Sequence, residues 1–235
     1  GMDMSMDPSL REANPRGVFE GMLKTMRLSC FNSEVWHLHH DYFTLYHLFN
    51  ELPHEDYRSR RLHKSLHKII DTYAENPANA AAARVFAAKE LAYPAFASAM
   101  TAVTIGHAHL DTGWLWPVKE SVRKSARTFA AQIDLLEKYP EYVFGASAPQ
   151  HYQFVKDNYP LLYEKIKKAV AEGRWELQGG MWVEADCNLI SGESMVRQFV
   201  HGKNFFMDEF GIDVRNLWIP DVFGYSGAMP QITKK

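Results

Sequence analysis

Along the first hundred residues, apolar positions recur at steps of three and four, the pattern of helices that pack through one face. The runs are "VFEGMLKTMRL" from Val18, "SEVWHLHHDYFTLYHLFNEL" from Ser33, "YRSRRLHKSLHKIIDTYAE" from Tyr57 and the alanine-rich "NAAAARVFAAKELAY" from Asn79. Pro53, Pro77 and Pro94 punctuate them, so the pattern predicts a helical region over residues 18–98. From Ala99 the period changes. "AMTAVTIGHAHLD" is β-branched and alternating, "PVKESVRKSARTFAAQIDLLEKYP" is an amphipathic helix, and "YVFGAS" reads as a strand. The alternation then repeats with a helix in "PLLYEKIKKAVAEG", a strand pair or bulged strand in "RWELQGGMWVEAD", a helix in "GESMVRQFVHGKNFFMDEFG" and a strand in "NLWIPD".

Strand and helix alternating over residues 99–235 predict an α/β fold with parallel strands and helical crossovers, either an open sheet or a barrel. Three of the predicted strands end in a carboxylate, Asp111, Asp186 and Asp221. Ligands gather where the carboxyl ends of parallel strands meet, so all three are expected on one rim.

Composition narrows the function classes. The 235 residues are 46% hydrophobic with a formal net charge of −2, and acidic and basic residues are mixed. No basic stripe follows a nucleic acid, no polybasic tail meets a membrane, and no apolar run has the length of a membrane span. Two cysteines, Cys30 and Cys187, argue against a disulfide scaffold, and a cytoplasmic protein is expected. Gly1 ahead of Met2 resembles a tag remnant, and residues 1–17 are expected to be disordered or tag-derived.

The chemistry concentrates in "GHAHLDTGWLWP". On an extended backbone His107, His109 and Asp111 share one face, and mixed imidazole and carboxylate donors suit zinc. A packed core histidine beside a helix-capping aspartate fits the same residues. Asp186 follows a double glycine in a stretch otherwise fit for burial, where an unpartnered acid is costly. Glu184 lies two residues before it and is expected as an ion-pair partner, with Arg197 the candidate. In "EVWHLHHDYFTLYH", His37, Asp41, His40 and His47 could share helix faces. A plain amphipathic helix whose aromatics form the buried stripe is the simpler expectation.

Three blocks in order, "GHAHLDTGWLWP", "GGMWVEADCNLISGES" and "WIPDVFGYSGAMPQI", make residues 99–235 resemble the glycoside hydrolase family 38 α-mannosidases. The helical preamble is similar to the amino-terminal region of that family's shorter cytosolic or vacuolar branch. The resemblance implies retaining hydrolysis of α-mannosidic bonds in oligosaccharides with one zinc ion, in the first part of a parallel (β/α) barrel-like catalytic domain. It implies His109, Asp111 and Asp186 as zinc ligands and Asp186 also as nucleophile. Trp114 is implied as the floor of the mannose subsite and Asp221 as an acid near the substrate, with His107 beside the ligands. The family's fourth ligand, a histidine, and its acid/base aspartate are implied beyond the "DVFGYS" block. The chain is accordingly expected to be a weakly active or inactive fragment, and an open sheet edge would favour a homo-oligomer. A zinc-dependent carbohydrate deacetylase and a non-catalytic sugar-binding module are the rival readings.

Overall fold

A computed structural model describes residues 28–234; all but Leu28 of the helix predicted from Val18, and the amino-terminal seventeen residues, lie outside the described residues. Contacts divide the chain into two compact units, meeting at Met100 and Thr101.

The first unit is helical. It comprises α1 (Ser33–Glu51), α2 (Tyr57–Tyr73), a 3₁₀ turn at Pro77–Asn79 and α3 (Ala80–Leu91). Asn32 and Asp56 accept hydrogen bonds from the first-turn amides of Val35 and Arg58, which caps α1 and α2. Leu38, Leu45, Leu62, Leu66 and Ile69 meet Ala80, Ala83 and Ala87 of α3, whose small side chains let the helices approach closely. The fully buried positions of α1 are aliphatic, Leu38 and Leu45; of the aromatics expected in the stripe, Tyr42 and Phe49 pack partly buried against this cluster, whereas Trp36, Phe43 and Tyr46 are exposed. Asp41 pairs with Arg84 at 2.9 Å, so that carboxylate is occupied. Glu90 is the buried charge of this unit, with 4% of its side chain exposed. Arg61 donates two hydrogen bonds to it and Ser65 a third, which satisfies an otherwise costly group.

The second unit has the predicted α/β character. Its elements are β1 (Gly106–His107), α4 (Val118–Lys138), β2 (Phe144–Ala146), α5 (Pro149–Asn158), α6 (Pro160–Ala171), β3 (Trp175–Leu177), α7 (Gly192–Phe210) and α8 (Met229–Lys234). The three strands form one parallel sheet in the order β1-β2-β3, with Gly106 opposite Phe144 and Phe144 opposite Trp175. Phe129, Phe144, Tyr152, Ile166, Trp175 and Phe206 fill the core between sheet and helices. The indole of Trp175 donates to the Tyr152 hydroxyl at 2.8 Å, so the most buried polar handles satisfy each other.

Two differences from the sequence reading bear on function. Helix α5, bracketed by Pro149 and Pro160, was not foreseen. The strands are also shorter than expected: residues 178–186 run as irregular, bent chain after β3, and no strand is found at residues 216–221 among the described residues. The reason at the second place is visible. The Asn216 side chain, not a backbone carbonyl, accepts the Gly179 N–H at 3.0 Å, and no ladder is built there. A second apolar cluster of Met181, Ala185, Cys187, Met195, Ile219 and Met229 anchors both irregular segments instead. Helix α7 lies directly on the first of them. A β-carbon at Gly202 would sit 2.1 Å from the Gly180 carbonyl oxygen, so the glycine permits this approach.

Candidate metal centre

Residues 108–117, after β1, form an irregular loop, and Ser121 in the first turn of α4 staples it. The Ser121 hydroxyl donates to the Asp111 carbonyl at 2.9 Å and accepts from the Gly113 N–H and the Trp116 indole. Gly113 has φ +81°, a conformation other residues rarely adopt. The turn folds Asp111 back toward His109. His109 Nε2 lies 3.2 Å from Asp111 Oδ1 and 3.5 Å from Asp221 Oδ2. On the other side of the ring, Nδ1 lies 3.2 Å from Glu184 Oε1.

One ligand atom from each of His109, Asp111 and Asp221 falls within 4.8 Å of the others, a grouping able to hold a metal ion. The donor set fits a divalent cation: an imidazole and two carboxylates are ligands zinc accepts, and Asp221 is 52% exposed, so the group is open to solvent. Its two half-exposed carboxylates converge on a single ring nitrogen. A bound cation would relieve their mutual repulsion.

The other expected residues fall differently. Asp186 is outside this group: its Oδ1 accepts the Asn188 and Leu189 N–H groups at 2.8 and 2.9 Å in a local turn. His107 is also apart. Its Nε2 accepts the Trp218 indole N–H at 2.9 Å, so that lone pair is occupied, and burial together with the nearby His109 pushes its pKa down. Trp114 is 58% exposed and meets Trp116 edge-on, leaving ring surface toward solvent. Glu184 does not pair with Arg197, which bonds Glu193 instead. It faces His109, and burial pushes its pKa up while His109 acts against the rise. Neither the Glu184 contact nor the approach of Asp221 is announced by local spacing, since both come from chain segments far from residue 109. The signal available beforehand was an acid in an apolar stretch, "MWVEADC".

His151, on α5, supports the same loop: it is buried, and its Nε2 lies 2.9 Å from the Thr112 hydroxyl. Burial, with a smaller contribution from His109, lowers its pKa from 6.5 to about 4, against the opposing pull of Asp111. The folded state thus holds a neutral ring that the unfolded chain would protonate. Stability from this residue is present above pH 6.5 and is lost as the pH falls toward 4, by about 2–3 kcal/mol at pH 4.5. Urea unfolding at pH 7 and pH 4.5 should show wild type losing that much more stability than His151→Gln. Equal losses would mean that the ring is not held neutral.

Residues 99–235 match the family described as Glycosyl hydrolases family 38 N-terminal domain. The chain belongs to glycosyl hydrolase family 38. Among its relatives, alpha-mannosidase 2C1 from Homo sapiens is 50% identical over 127 residues, covering 54% of this chain and 12% of the relative. Alpha-mannosidase 2C1 from Mus musculus is 37% identical over 220 residues, covering 93% of this chain and 21% of the relative. The Saccharomyces cerevisiae alpha-mannosidase is 40% identical over 131 residues, which is 55% of this chain and 12% of the relative. A solved alpha-mannosidase from Enterococcus faecalis V583 superposes on 55% of the chain and 15% of its own, with a TM-score of 0.51 and 29% identity. The chain thus spans between about an eighth and a fifth of the curated relatives it matches. The mouse match extends through most of the helical unit, so that unit also has a counterpart in that alpha-mannosidase. No helix among the described residues is long and apolar enough to cross a membrane.

Proposed function

We propose that this family 38 chain contributes the metal- and sugar-holding part of a retaining, zinc-dependent α-mannosidase that acts on mannose-containing oligosaccharides in the cytoplasm. The observation that carries the reading is the convergence of Asp111 and Asp221 on His109 Nε2. The names of the relatives, all α-mannosidases, support the substrate class.

In this reading His109, Asp111 and Asp221 hold the ion. A bound divalent cation there supplies Lewis acidity and a template for two neighbouring sugar hydroxyls. Mannose carries its 2- and 3-hydroxyls cis, the arrangement that such a template would select. The chain's residues do the rest. Trp114 presents an apolar ring face to the sugar's C–H surface, which orients it and excludes water on that side. Asp186 serves as the nucleophile that attacks the anomeric carbon, one of its oxygens fixed by the amides of Asn188 and Leu189. The present geometry supports a division of labour in which Asp221 is a ligand and Asp186 is kept for carbon. Retention also needs a second carboxyl, about 5 Å from the nucleophile, to protonate the leaving oxygen and later activate water.

The test is hydrolysis of a chromogenic α-mannoside by a polypeptide containing these residues together with that acid/base carboxyl. Asp186→Asn should lower kcat on the order of 10³-fold, with metal content unchanged. An unaltered kcat removes Asp186 from the chemistry, and release of acetate from an acetylated sugar in place of mannose would favour a deacetylase.

A further inference from the structure

We infer that Glu184 is the positioning residue of the metal centre: by accepting a hydrogen bond from the His109 Nδ1–H, it turns Nε2, with its lone pair free, toward Asp111 and Asp221. The inference rests on the metal reading above and adds a residue to it. An imidazole that binds a cation through one nitrogen must carry its proton on the other, and a carboxylate at that far nitrogen fixes both tautomer and ring plane. Glu184 Oε1 stands 3.2 Å from Nδ1, opposite the nitrogen that faces the two aspartates. It is not a fourth member of the ligand group, whose oxygens belong to Asp111 and Asp221.

Three further observations distinguish this from an ordinary surface ion pair. Only 12% of the Glu184 side chain is exposed, and its Oε2 is buried without a hydrogen-bond partner, a cost that a solvated pair would not incur. The cation that the sequence offered as an ion-pair partner, Arg197, is bound to Glu193. The backbone on both sides is also held. Val183 N–H donates to the Gln198 side chain of α7 at 3.0 Å, and Ala185 N–H donates to the Val183 carbonyl at 2.9 Å. Ala185 itself is buried in the apolar cluster with Met181 and Ile219. The carboxylate is thus fixed by α7 and by the same cluster that sets the segment carrying Asp221, so one packed unit places both the ligand and the group that orients its neighbour.

The test measures Zn²⁺ affinity of the whole chain by competition with a chromogenic chelator, for wild type, Glu184→Gln, Glu184→Leu and His109→Ala. Loss of an outer partner weakens a metal site by roughly 10- to 100-fold. Glu184→Gln, which keeps a neutral acceptor of the same shape, should fall near the lower figure and Glu184→Leu near the upper. In the zinc-loaded wild type, ¹⁵N-resolved spectra should show an exchange-protected Nδ1 proton on His109, and that protection should disappear in Glu184→Leu. If Glu184→Leu fails to fold, Glu184→Gln alone decides. Wild-type affinity within twofold in Glu184→Gln, alongside a large loss in His109→Ala, overturns this role and leaves the metal reading intact. No zinc binding by wild type overturns both.

Discussion

His109→Ala should lower zinc affinity about a hundredfold, and it should do so while leaving the metal-free fold nearly unchanged. The affinity loss follows from the donor set: His109 supplies the one nitrogen of the group, and Asp111 and Asp221 approach each other only around it. Structural zinc sites release about 10–16 kcal/mol over four ligands, so one ligand carries about 3 kcal/mol, roughly a hundredfold. The fold should persist because His109 sits partly exposed in a loop stapled by Ser121, whose bonds run to the Asp111 carbonyl and the Gly113 amide, so the cost is confined to the Glu184 carboxylate that loses its imidazole partner. Chelator competition measures the first effect and thermal unfolding in a chelating buffer the second. An unchanged affinity would show that the three side chains do not act as one site.

Gly202→Ala should be the more damaging change, although it adds a single methyl group 19 residues or more from any proposed ligand. The new β-carbon would lie 2.1 Å from the Gly180 oxygen and 2.9 Å from the Gly180 and Met181 carbonyl carbons. These are backbone atoms, so no side-chain rotation relieves the overlap; either α7 or the glycine turn must move. Overpacking of this kind costs about 1–3 kcal/mol, which for a unit of this size lowers the melting temperature by roughly 5–10 °C. The displaced turn leads directly into Glu184, so zinc affinity should fall as well. Gly192→Ala is the matched control: nothing lies within 4 Å of its β-carbon, and the melting temperature should stay put. Equal melting temperatures for the two variants would mean that α7 does not pack on the turn as described.

Much of the fold was legible before any coordinates. The helices at Ser33–Glu51, Val118–Lys138 and Gly192–Phe210 follow their apolar period closely, and Gly211, at φ +69°, closes the last where a left-handed residue was needed. Local physics sufficed because a helix satisfies its backbone within itself. Strands do not. "NLWIPD" has strand-like residues, yet Asn216 uses its side chain to reach Gly179 and no ladder forms. Whether a segment pairs depends on what lies beside it, which the segment does not encode.

The site divides along the same line. Chemistry that a short stretch can hold, an imidazole and a carboxylate two residues apart in "HLD", was written in the chain, and so was the family resemblance that its neighbouring blocks carry. Only the folded chain brings the Asp221 carboxylate beside them, turns Asp186 to the amides of Asn188 and Leu189, and sets Glu184 against His109 instead of Arg197. The physical reason is range. Residues two apart are neighbours in almost any conformation, whereas residues 75 positions apart, like His109 and Glu184, meet only because α7 and a cluster of methionine, alanine and isoleucine side chains hold their loops together.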